Sequence, residues 1–407
     1  MPQEPFSLRK IAIGAYGPSL LYGVATGSIT PVIALSARDL GADIPTAALI
    51  ITLTGIGSLL TNVPATLVTT RFGERWALVA ASLWCSAAMI LALSAPNLAI
   101  FGAAIFMVGM AGAVFGLARQ SYLTEAVPID FRARALSTLG GVTRIGVFIG
   151  PFAGALAMSG LGLDGAYWVG AAATLAAAVL SYRVPELAAP QHTVRGRGSP
   201  SDPATPVPPP ATVRAILRSH ARIFATVGVG VLLIAAVRAT RQAVLPLWAQ
   251  EIGLDPTTTS VIYGLSGAID MLIFYPAGKV MDLYGRRWVA VPCMLIMGTA
   301  LLLLPLTQDA FSLLLVALLI GFGNGIGSGI VMTLGADFSP SPGRPQFLGI
   351  WRVLTDIGTM AGPGTVSAVT AAVTLAGGIW TTGVLGLIGA AALWLWVPPR
   401  KKHLSGR

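Results

Sequence analysis

The chain has 407 residues, of which 55% are hydrophobic and 10% are charged, and its mean hydropathy is +0.77. This composition leaves too few polar side chains to cover a soluble globule of that length, so it excludes a soluble protein and predicts an integral membrane protein. The formal net charge of +10 is also compatible with a nucleic-acid partner, and the positions of the basic residues decide between the two interpretations.

Apolar runs of roughly 20 residues, the length with which a helix crosses the hydrocarbon core, recur about twelve times along the chain. The first run is longer than the apolar core of a signal peptide and continues past Pro31, so we interpret it as a retained span. We number the runs as spans 1 to 12 and predict them near residues 11–35, 46–68, 76–95, 98–121, 137–158, 165–184, 222–249, 257–280, 288–306, 310–333, 346–370 and 376–397.

A stretch rich in proline and glycine interrupts the apolar pattern after span 6. Its run Pro208-Pro209-Pro210 cannot continue a helix. We therefore expect a six-helix bundle in residues 1–184, a flexible cytoplasmic linker in residues 185–221, and a second six-helix bundle with a short tail in residues 222–407. The other loops are short, so consecutive spans should be antiparallel neighbours.

The basic residues are distributed unevenly between the two ends of the spans. Twenty of the 26 lie at the amino terminus, in the loops after spans 2, 4, 8 and 10, in the linker or in the tail, and only Arg38 lies in a loop on the other side. The positive-inside rule therefore predicts a multi-pass protein of the plasma (inner) membrane with both termini cytoplasmic. The net charge reflects this topology, and we expect no nucleic-acid partner. The basic residues of the linker either lie in solvent, which we favour, or contact anionic lipid headgroups.

The sequence repeats itself at an offset of 212 residues. Similarity at a fixed period indicates a duplicated unit. The offset also pairs unlike residues, Arg144 with Asp356 and Ser58 with Asp270, and we expect coupling to depend on these differences. The positions that match include Gly73 and Gly285, Gly109 and Gly321, Arg75-Trp76 and Arg287-Trp288, Gly146 and Gly358, and Gly150-Pro151 and Gly362-Pro363.

The loop between spans 8 and 9 contains a spaced set of glycine, aspartate and arginine residues, namely Gly278, Asp282, Gly285, Arg286 and Arg287. Here the sequence resembles the signature loop of the major facilitator superfamily. The resemblance implies an all-α integral membrane fold of twelve transmembrane helices, arranged as two pseudo-symmetric six-helix bundles around a central cavity. We expect Gly278 to permit close helix packing, Gly285 to form a tight turn, and the Asp and Arg side chains to form a charged latch.

The equivalent loop of the first half departs from the superfamily pattern at three positions, because Thr66, Thr70 and Glu74 stand where Gly, Asp and Arg are expected. We therefore expect its latch to be weaker, or to be rebuilt from Arg71, Glu74 and Arg75.

Span 5 contains Gly146, Gly150, Pro151 and Gly154, which are similar to a pattern associated with exporters of the superfamily. By this resemblance, the residues would thin and bend the helix so that the facing half can approach. Span 4 ends near Arg119, which resembles an arginine motif of the same superfamily.

Seven ionisable residues lie inside the predicted spans, and each costs at least ~2.5 kcal/mol at bilayer depth, which makes each a candidate functional residue. The superfamily fold places all seven on spans that line the cavity. Because five are positive and two negative, the cavity should be positive and should disfavour cationic substrates. The seven residues are Arg119, Arg144, Arg238, Arg241, Asp270, Arg352 and Asp356.

Arg238 and Arg241 are three residues apart, so they share one face of span 7. Guanidinium groups bind carboxylate, phosphate or sulfonate groups through paired hydrogen bonds, and we expect these arginines to contact substrate together with Arg119 and the aromatic Tyr263. The alternative is that they bind backbone carbonyls or Glu251.

Two carboxylates are candidates for proton coupling, since all three histidines lie outside the spans. Span 5 packs beside span 8 in the superfamily fold, so Asp270 is expected to pair with Arg144 across the two halves, either as a gate or as a permanent structural pair. Arg352 and Asp356 are four residues apart and are expected to neutralise each other. If they do not, Asp356 is the second proton-carrier candidate.

These features favour a secondary transporter that exports small amphipathic or anionic organic molecules in exchange for protons. An importer of organic anions is the nearest alternative, because an arginine-rich cavity suits both. A membrane-embedded enzyme would need a nucleophile with its base, or a metal cluster, inside the spans, and the sequence offers neither. We therefore expect no catalytic residue, metal or cofactor. The expected partners are a small-molecule substrate, protons and membrane lipid, and the expected state is a monomer.

Overall fold

Every regular element is a helix in the residues that the computed structural model describes, which are 8–127, 129–183, 212–340 and 343–398. A π-helical turn, Phe224–Gly228, leads into the seventh span, and a 3-10 turn, Leu304–Leu306, extends the ninth. The α-helices are α1 (Leu8–Ile29), α2 (Ile33–Asp39), α3 (Ile44–Leu93), α4 (Leu98–Ala126), α5 (Ile129–Leu161), α6 (Asp164–Tyr182), α7 (Val213–Ser219), α8 (Ala221–Ile223), α9 (Val229–Glu251), α10 (Pro256–Tyr284), α11 (Arg287–Leu303), α12 (Ala310–Ile326), α13 (Ile330–Phe338), α14 (Arg344–Ala372) and α15 (Leu375–Trp396).

The helices correspond to the predicted spans. Among the described residues, nine helices are long and apolar enough to cross a bilayer, and α1 with α2 makes a tenth that is bent by 41°. Helix α3 contains both span 2 and span 3. Gly73, with φ of 78°, breaks its helical path and divides the two spans. Helix α14 has 29 residues and lies at span 11. The prediction of an all-α fold with twelve spans is confirmed.

Side chains cap repeat-equivalent helices at one end of the molecule, which we call the capped end. Asp43 and Asp255 accept hydrogen bonds from the backbone N–H groups of Thr46 and Thr258, each at 2.9 Å. Hydrogen bonds from the same threonines lower the pKa of both aspartates. Caps of this kind satisfy N–H groups that a helix leaves free at its start. We call the other end, where Gly73 and Gly285 make their turns, the basic end.

The glycines of span 5 pack within their own half. A Cβ on Gly150 would meet the Val24 carbonyl of α1, and a Cβ on Gly146 would meet the Leu20 carbonyl, one turn earlier in α1. The repeat equivalents behave alike, since Gly362 of α14 lies against Ala236 of α9. The span 5 glycines therefore contact α1 of their own half, and their role in thinning and bending the helix so that the facing half can approach stays a prediction. These glycines, with Pro151 inside α5 and Gly154 against α1, form a duplicated packing surface within each bundle.

The two halves meet along two repeat-equivalent helix pairs, α5 with α10 and α3 with α14. Towards the capped end, the Ser367 hydroxyl donates a 2.8 Å hydrogen bond to the Pro45 carbonyl. On the other pair, a Cβ on Gly264 would lie 2.8 Å from the ring of Phe152. The halves are therefore in close contact at this end of the interface.

The segment between the halves is partly helical. Most of the predicted linker, residues 184–211, lies outside the described residues. Its last part differs from the expectation of a flexible tether, because Thr212 caps α7 at the N–H of Ala215 and α7 packs against α14.

Candidate functional site

A cavity of about 590 Å³ lies between the two halves, and we call it the basic chamber. Helices α4 and α5 line it from the first half, and α9, α10, α12, α13 and α14 line it from the second. Within the described part of the chain, its charged lining residues are four arginines and one aspartate, a formal charge of +3. They are Arg119, Arg144, Arg238, Arg241 and Asp270.

Asn324 connects two of these charges. Its Nδ2 donates a 2.5 Å hydrogen bond to Oδ2 of Asp270, and its Oδ1 accepts a 2.7 Å hydrogen bond from Nε of Arg238. The residue is 5% exposed, and its amide bonds one charged neighbour through nitrogen and the other through oxygen. Asn324 fixes the positions of Arg238 and Asp270, although they lie on different helices.

Arg238 also uses the break between α12 and α13. Helix α12 ends at Ile326, and Gly329 with φ of 85° starts the next helix. At this break the Gly327 carbonyl accepts a hydrogen bond from Nη1 of Arg238 at 3.4 Å, in addition to one from the Ile330 N–H at 3.2 Å. Backbone contact, one of the two interpretations for this arginine, is therefore present, whereas Glu251 lies exposed at the far end of α9.

Arg241 is the ion-pair partner of Asp270. Its Nη2 lies 3.7 Å from Oδ2 of Asp270, and the two side chains are 12% and 17% exposed. Within the described residues, Nη1 of Arg241 and Oδ1 of Asp270 are buried without a hydrogen bond. The pair is incompletely satisfied, so each partner retains capacity for another ligand.

Tyr263 supports Arg241 from beneath. The guanidinium carbon of Arg241 is 5.5 Å from the centroid of the Tyr263 ring, and Tyr263 is 5% exposed. Tyr263 is not among the residues that line the basic chamber. Its cation–π contact positions the arginine, and its contact with substrate stays a prediction.

Arg144 lies in the basic chamber but does not form the expected ion pair with Asp270. Its guanidinium carbon is 4.6 Å from the ring centroid of Phe274, which lies one turn beyond Asp270 on α10. Among the described residues, Arg144 has no hydrogen bond or ion pair. Both residues line the same cavity and make no ion pair with each other, so the Arg144 guanidinium is available.

Arg119 is held by a neighbouring helix of its own half. Its Nη1 donates a 2.7 Å hydrogen bond to the hydroxyl of Thr143, which lies on α5 beside Arg144. Arg119 and Arg144 therefore line the chamber side by side. Thr143 was not among the predicted site residues.

Arg352 and Asp356 contact each other, as their spacing suggested. Nε of Arg352 is 3.3 Å from Oδ1 of Asp356, and the two side chains are 64% and 13% exposed. Asp356 also accepts a 2.9 Å hydrogen bond from Nδ2 of Asn62 in the other half. Neither Arg352 nor Asp356 is among the residues lining the basic chamber, so both lie apart from the charged cluster.

The signature loop at the basic end forms contacts beyond its own turn. Gly285 follows α10 with φ of 100°, as expected for a tight turn. Nε of Arg286 is 2.6 Å from Oδ2 of Asp337 at the end of α13. Arg287 donates to the Trp394 carbonyl, and its guanidinium carbon is 3.7 Å from the ring centroid of that tryptophan.

Gly278 and Asp282 are the two remaining residues of the signature loop. Among the described residues, nothing lies within 4 Å of a Cβ built on Gly278, so the predicted close packing there is wrong. Asp282 has contacts within the molecule, and its part in a latch stays a prediction.

The first-half loop has a different arrangement. Gly73 with φ of 78° makes the turn, and Glu74, the repeat equivalent of Arg286, accepts a 2.9 Å hydrogen bond from the Ser121 hydroxyl. Glu125 is the repeat equivalent of Asp337, so two acids stand where the second half has the Arg286–Asp337 ion pair. Arg75 lies against the Tyr182 ring at 4.7 Å, the counterpart of Arg287 against Trp394.

Besides Thr143, the amide residues Asn324 and Gln242 of the site were not predicted from the sequence. They are uncharged, so the cost of placing a charge in the membrane does not mark them as candidates. The repeat offset offers a signal, since Asn324 stands opposite Gly112 in an otherwise apolar span.

The sequence and the fold are both similar to those of known proteins. The family model described as Major Facilitator Superfamily matches residues 19–239 and again residues 227–407. No curated protein matches the chain significantly. Among solved structures, the chain is similar to a mutant of the nucleoside transporter NupG, with 14% identity and a TM-score of 0.76 over 95% of this chain and 99% of that chain.

Two further structures have the same fold. A bacterial homologue of the human lysosomal transporter Spinster, in an inward-facing and occupied conformation, is 13% identical with a TM-score of 0.77, over 97% of both chains. A D-xylose–proton symporter is 16% identical with a TM-score of 0.70, over 96% of this chain and 98% of that chain. At these identities the similarity shows the fold alone.

Proposed function

The chain belongs to the Major Facilitator Superfamily, and from this premise we propose that it is a secondary active transporter that moves small organic anions together with protons by alternating access. Its family and structural neighbours are transporters, so the chain is a multi-pass membrane transporter of a small molecule and not an enzyme. The class of substrate and the coupling ion are inferred from the basic chamber.

Arg144 is the observation that carries the anion proposal. Its guanidinium faces the chamber without a hydrogen bond or ion pair among the described residues. An arginine without a direct ion-pair partner inside the membrane is costly and favours binding of an anion, and the chamber charge of +3 acts in the same direction. The volume of about 590 Å³ lies within the ~300–1,000 Å³ typical of small-molecule sites.

Asp270 supports coupling to protons. Among the described residues it is the one acid that lines the chamber, and it binds Arg241, a group that an anion would also bind. Protonation of Asp270 removes a charge that repels the anion and releases Arg241 to bind it. Proton and anion therefore favour each other's binding, and by linkage the preference is reciprocal. Joint binding supports transport of both in the same direction.

Export in exchange for protons is the second candidate. The span 5 residues that suggested it are similar to an exporter pattern, but Gly146 and Gly150 pack against α1, and the same packing recurs in the second half. Because a duplicated packing surface does not distinguish direction, we rank anion–proton cotransport first. The direction of flux in intact cells separates the two candidates.

The topology remains part of the proposal. We assign the basic end, with Arg71, Arg75, Arg286 and Arg287, to the cytoplasmic face of the plasma (inner) membrane by the positive-inside rule. Both termini then lie in the cytoplasm. We propose a monomer, because each half lines the chamber within a single chain.

A ligand screen on the purified full-length chain tests the substrate class. Matched amphiphiles, alkyl carboxylates and alkyl amines of one chain length, are compared by the thermal stability they confer. We expect stabilisation by the carboxylates. In Arg144→Gln the concentration for half-maximal stabilisation should rise roughly tenfold, since a charge-assisted hydrogen bond contributes ~1.5–3 kcal/mol.

Arg286→Gln is the matched control, because it removes an arginine of the loop and leaves the chamber intact. It should respond as the wild type does. Stabilisation by the amines alone would overturn the proposed substrate class.

A further inference from the structure

A second, smaller cavity of about 240 Å³ adjoins the basic chamber, and we call it the small chamber. Helices α1 to α4 of the first half line it, with Thr30 between α1 and α2, together with Gln242 of α9. Gln242 also lines the basic chamber, so this side chain stands at the junction of the two. The volume of the small chamber corresponds to roughly eight water molecules at ~30 Å³ each, which is enough for a short polar chain or a small ring.

The small chamber is the repeat equivalent of the charged cluster. Displaced by 212 residues, Arg238, Arg241, Asp270 and Asn324 become Thr26, Ile29, Ser58 and Gly112, and all four of these line the small chamber. The duplication therefore placed two related sites on opposite sides of Gln242. One is charged, whereas the other carries no charge on any described lining residue.

The hydrogen-bonding groups of the small chamber are mostly acceptors. The hydroxyls of Thr26, Thr30 and Thr54 donate to carbonyls of their own helices, at 3.1, 2.6 and 2.7 Å. Their hydrogens are thus engaged, and their oxygens remain able to accept. The matching ligand group has O–H or N–H donors and no charge.

Tyr22 adds a buried hydroxyl that lacks a strong hydrogen-bond partner. It is 7% exposed, and its hydroxyl lies near the Cys85 thiol, a weak partner, without a hydrogen bond of ordinary geometry among the described residues. A Cβ placed on Gly112 would lie 3.6 Å from that hydroxyl oxygen, so the oxygen borders the space that Gly112 leaves open. A buried hydroxyl without a strong partner costs free energy that a bound ligand would recover.

We propose that the transported anion has two unlike ends, an anionic group held by the arginines of the basic chamber and a neutral, hydroxyl-bearing end held in the small chamber. The proposal rests on the organic-anion function proposed above and specifies its substrate class. Gln242 contacts the middle of such a molecule, because it borders both chambers. A purely apolar tail would leave the Tyr22 hydroxyl and the threonine oxygens without strong partners.

Three probes of equal chain length separate the contributions of the two ends: gluconate has both the charge and the hydroxyls, hexanoate has the charge alone, and glucitol has the hydroxyls alone. Binding to the purified full-length protein is measured by calorimetry. Gluconate should bind at least tenfold more tightly than hexanoate, and glucitol should bind more weakly than either.

Two variants assign the preference to the small chamber. Gly112→Leu extends a side chain into the small chamber, because Gly112 lines it and a Cβ there has only the Tyr22 hydroxyl within 4 Å among the described residues, and gluconate affinity should fall to that of hexanoate. Tyr22→Phe keeps the ring stacked on Phe115 at 4.1 Å and removes only the hydroxyl, so gluconate affinity should fall roughly threefold. Gly116→Leu is the control, since Gly116 has open space around it and lines neither chamber.

The outcomes distinguish this proposal from the proposed function. If hexanoate binds the wild type as tightly as gluconate, or if Gly112→Leu leaves gluconate affinity unchanged, the small chamber is a water-filled space and the two-ended substrate is rejected while the anion function stands. If glucitol binds and neither anion does, both proposals are rejected.

Discussion

Arg144 and Asp356 occupy equivalent positions of the two repeats, and each contacts the opposite half at an equivalent partner. The guanidinium of Arg144 lies over the Phe274 ring at 4.6 Å, and Asp356 accepts a 2.9 Å hydrogen bond from Asn62. Phe274 and Asn62 are themselves 212 residues apart. The duplication has therefore kept one cross-half contact in two copies and changed its chemistry in each. Both copies lie on the helix pairs that would separate during alternating access.

Removing the polar copy should loosen the interface at that place. In Asn62→Ala, Asp356 keeps its bond to Arg352 but loses the bond across the halves. Spin labels at the exposed positions Arg71 and Lys279 should then show a larger population of long distances between the halves. Thr66→Ala, one turn further along α3 and exposed, should leave the distances unchanged. Identical distributions for Asn62→Ala and the wild type would contradict a role for this contact.

Asn324 should be as important for transport as the charged residues it joins. Asn324→Ala leaves Arg238 and Asp270 without their shared partner inside the membrane. An unsatisfied buried polar group costs ~1–3 kcal/mol, so both thermal stability and flux should fall, the flux roughly tenfold or more. Flux into proteoliposomes is the measurement, and Gly116→Ala provides the comparison, since Gly116 lines neither chamber and a Cβ there meets nothing within 4 Å among the described residues. Flux of Asn324→Ala equal to that of the wild type would show that the cluster does not depend on this amide.

Glycines at repeat-equivalent crossings should not tolerate a methyl group. A Cβ on Gly109 would collide with the Thr54 carbonyl, and a Cβ on Gly321 would collide with the Ser266 carbonyl. Replacement of either by Ala should destabilise the protein by roughly 1–3 kcal/mol, because backbone contacts cannot yield without moving a helix. Gly116→Ala is the control, since its Cβ would meet nothing within 4 Å. Thermal unfolding in detergent checks the prediction, and a stable Gly109→Ala would mean that the helices are less closely packed there.

The sequence predicts the architecture well because apolar length and the repeat are direct physical signals. The turns at Gly73 and Gly285 follow from the same reasoning, and both glycines have positive φ. The side-chain partners inside the chamber depend on the rotation of each helix about its axis, and this rotation cannot be predicted from the apolar pattern or the repeat. That is why Asp270 binds Arg241 and Asn324 instead of Arg144, and why Tyr263 lies behind Arg241 instead of facing the cavity.

Acid should weaken the caps at the capped end. Hydrogen bonds from Thr46 and Thr258 lower the pKa of Asp43 and Asp255 in the folded state. A carboxyl whose pKa is lower when folded stabilises the protein above its unfolded value of ~3.9, and the contribution is lost as the pH falls through the folded pKa. Because Asn caps about as well as Asp, the double variant Asp43→Asn, Asp255→Asn should match the wild type at neutral pH and lose less stability in acid. Thermal unfolding across acidic pH tests this. Equal acid sensitivity of the two proteins would assign it to other groups.

The coupling role of Asp270 is the central claim, and flux driven by a pH gradient tests it most directly. The wild type and Asp270→Asn are reconstituted in proteoliposomes, and entry of an anion selected by the ligand screen is measured with and without an inward proton gradient. The account predicts that the gradient accelerates anion entry in the wild type. In Asp270→Asn it should have no effect, while exchange of labelled for unlabelled anion continues. Full gradient-dependent entry in Asp270→Asn, or a gradient that drives the anion in the opposite direction in the wild type, would contradict the account.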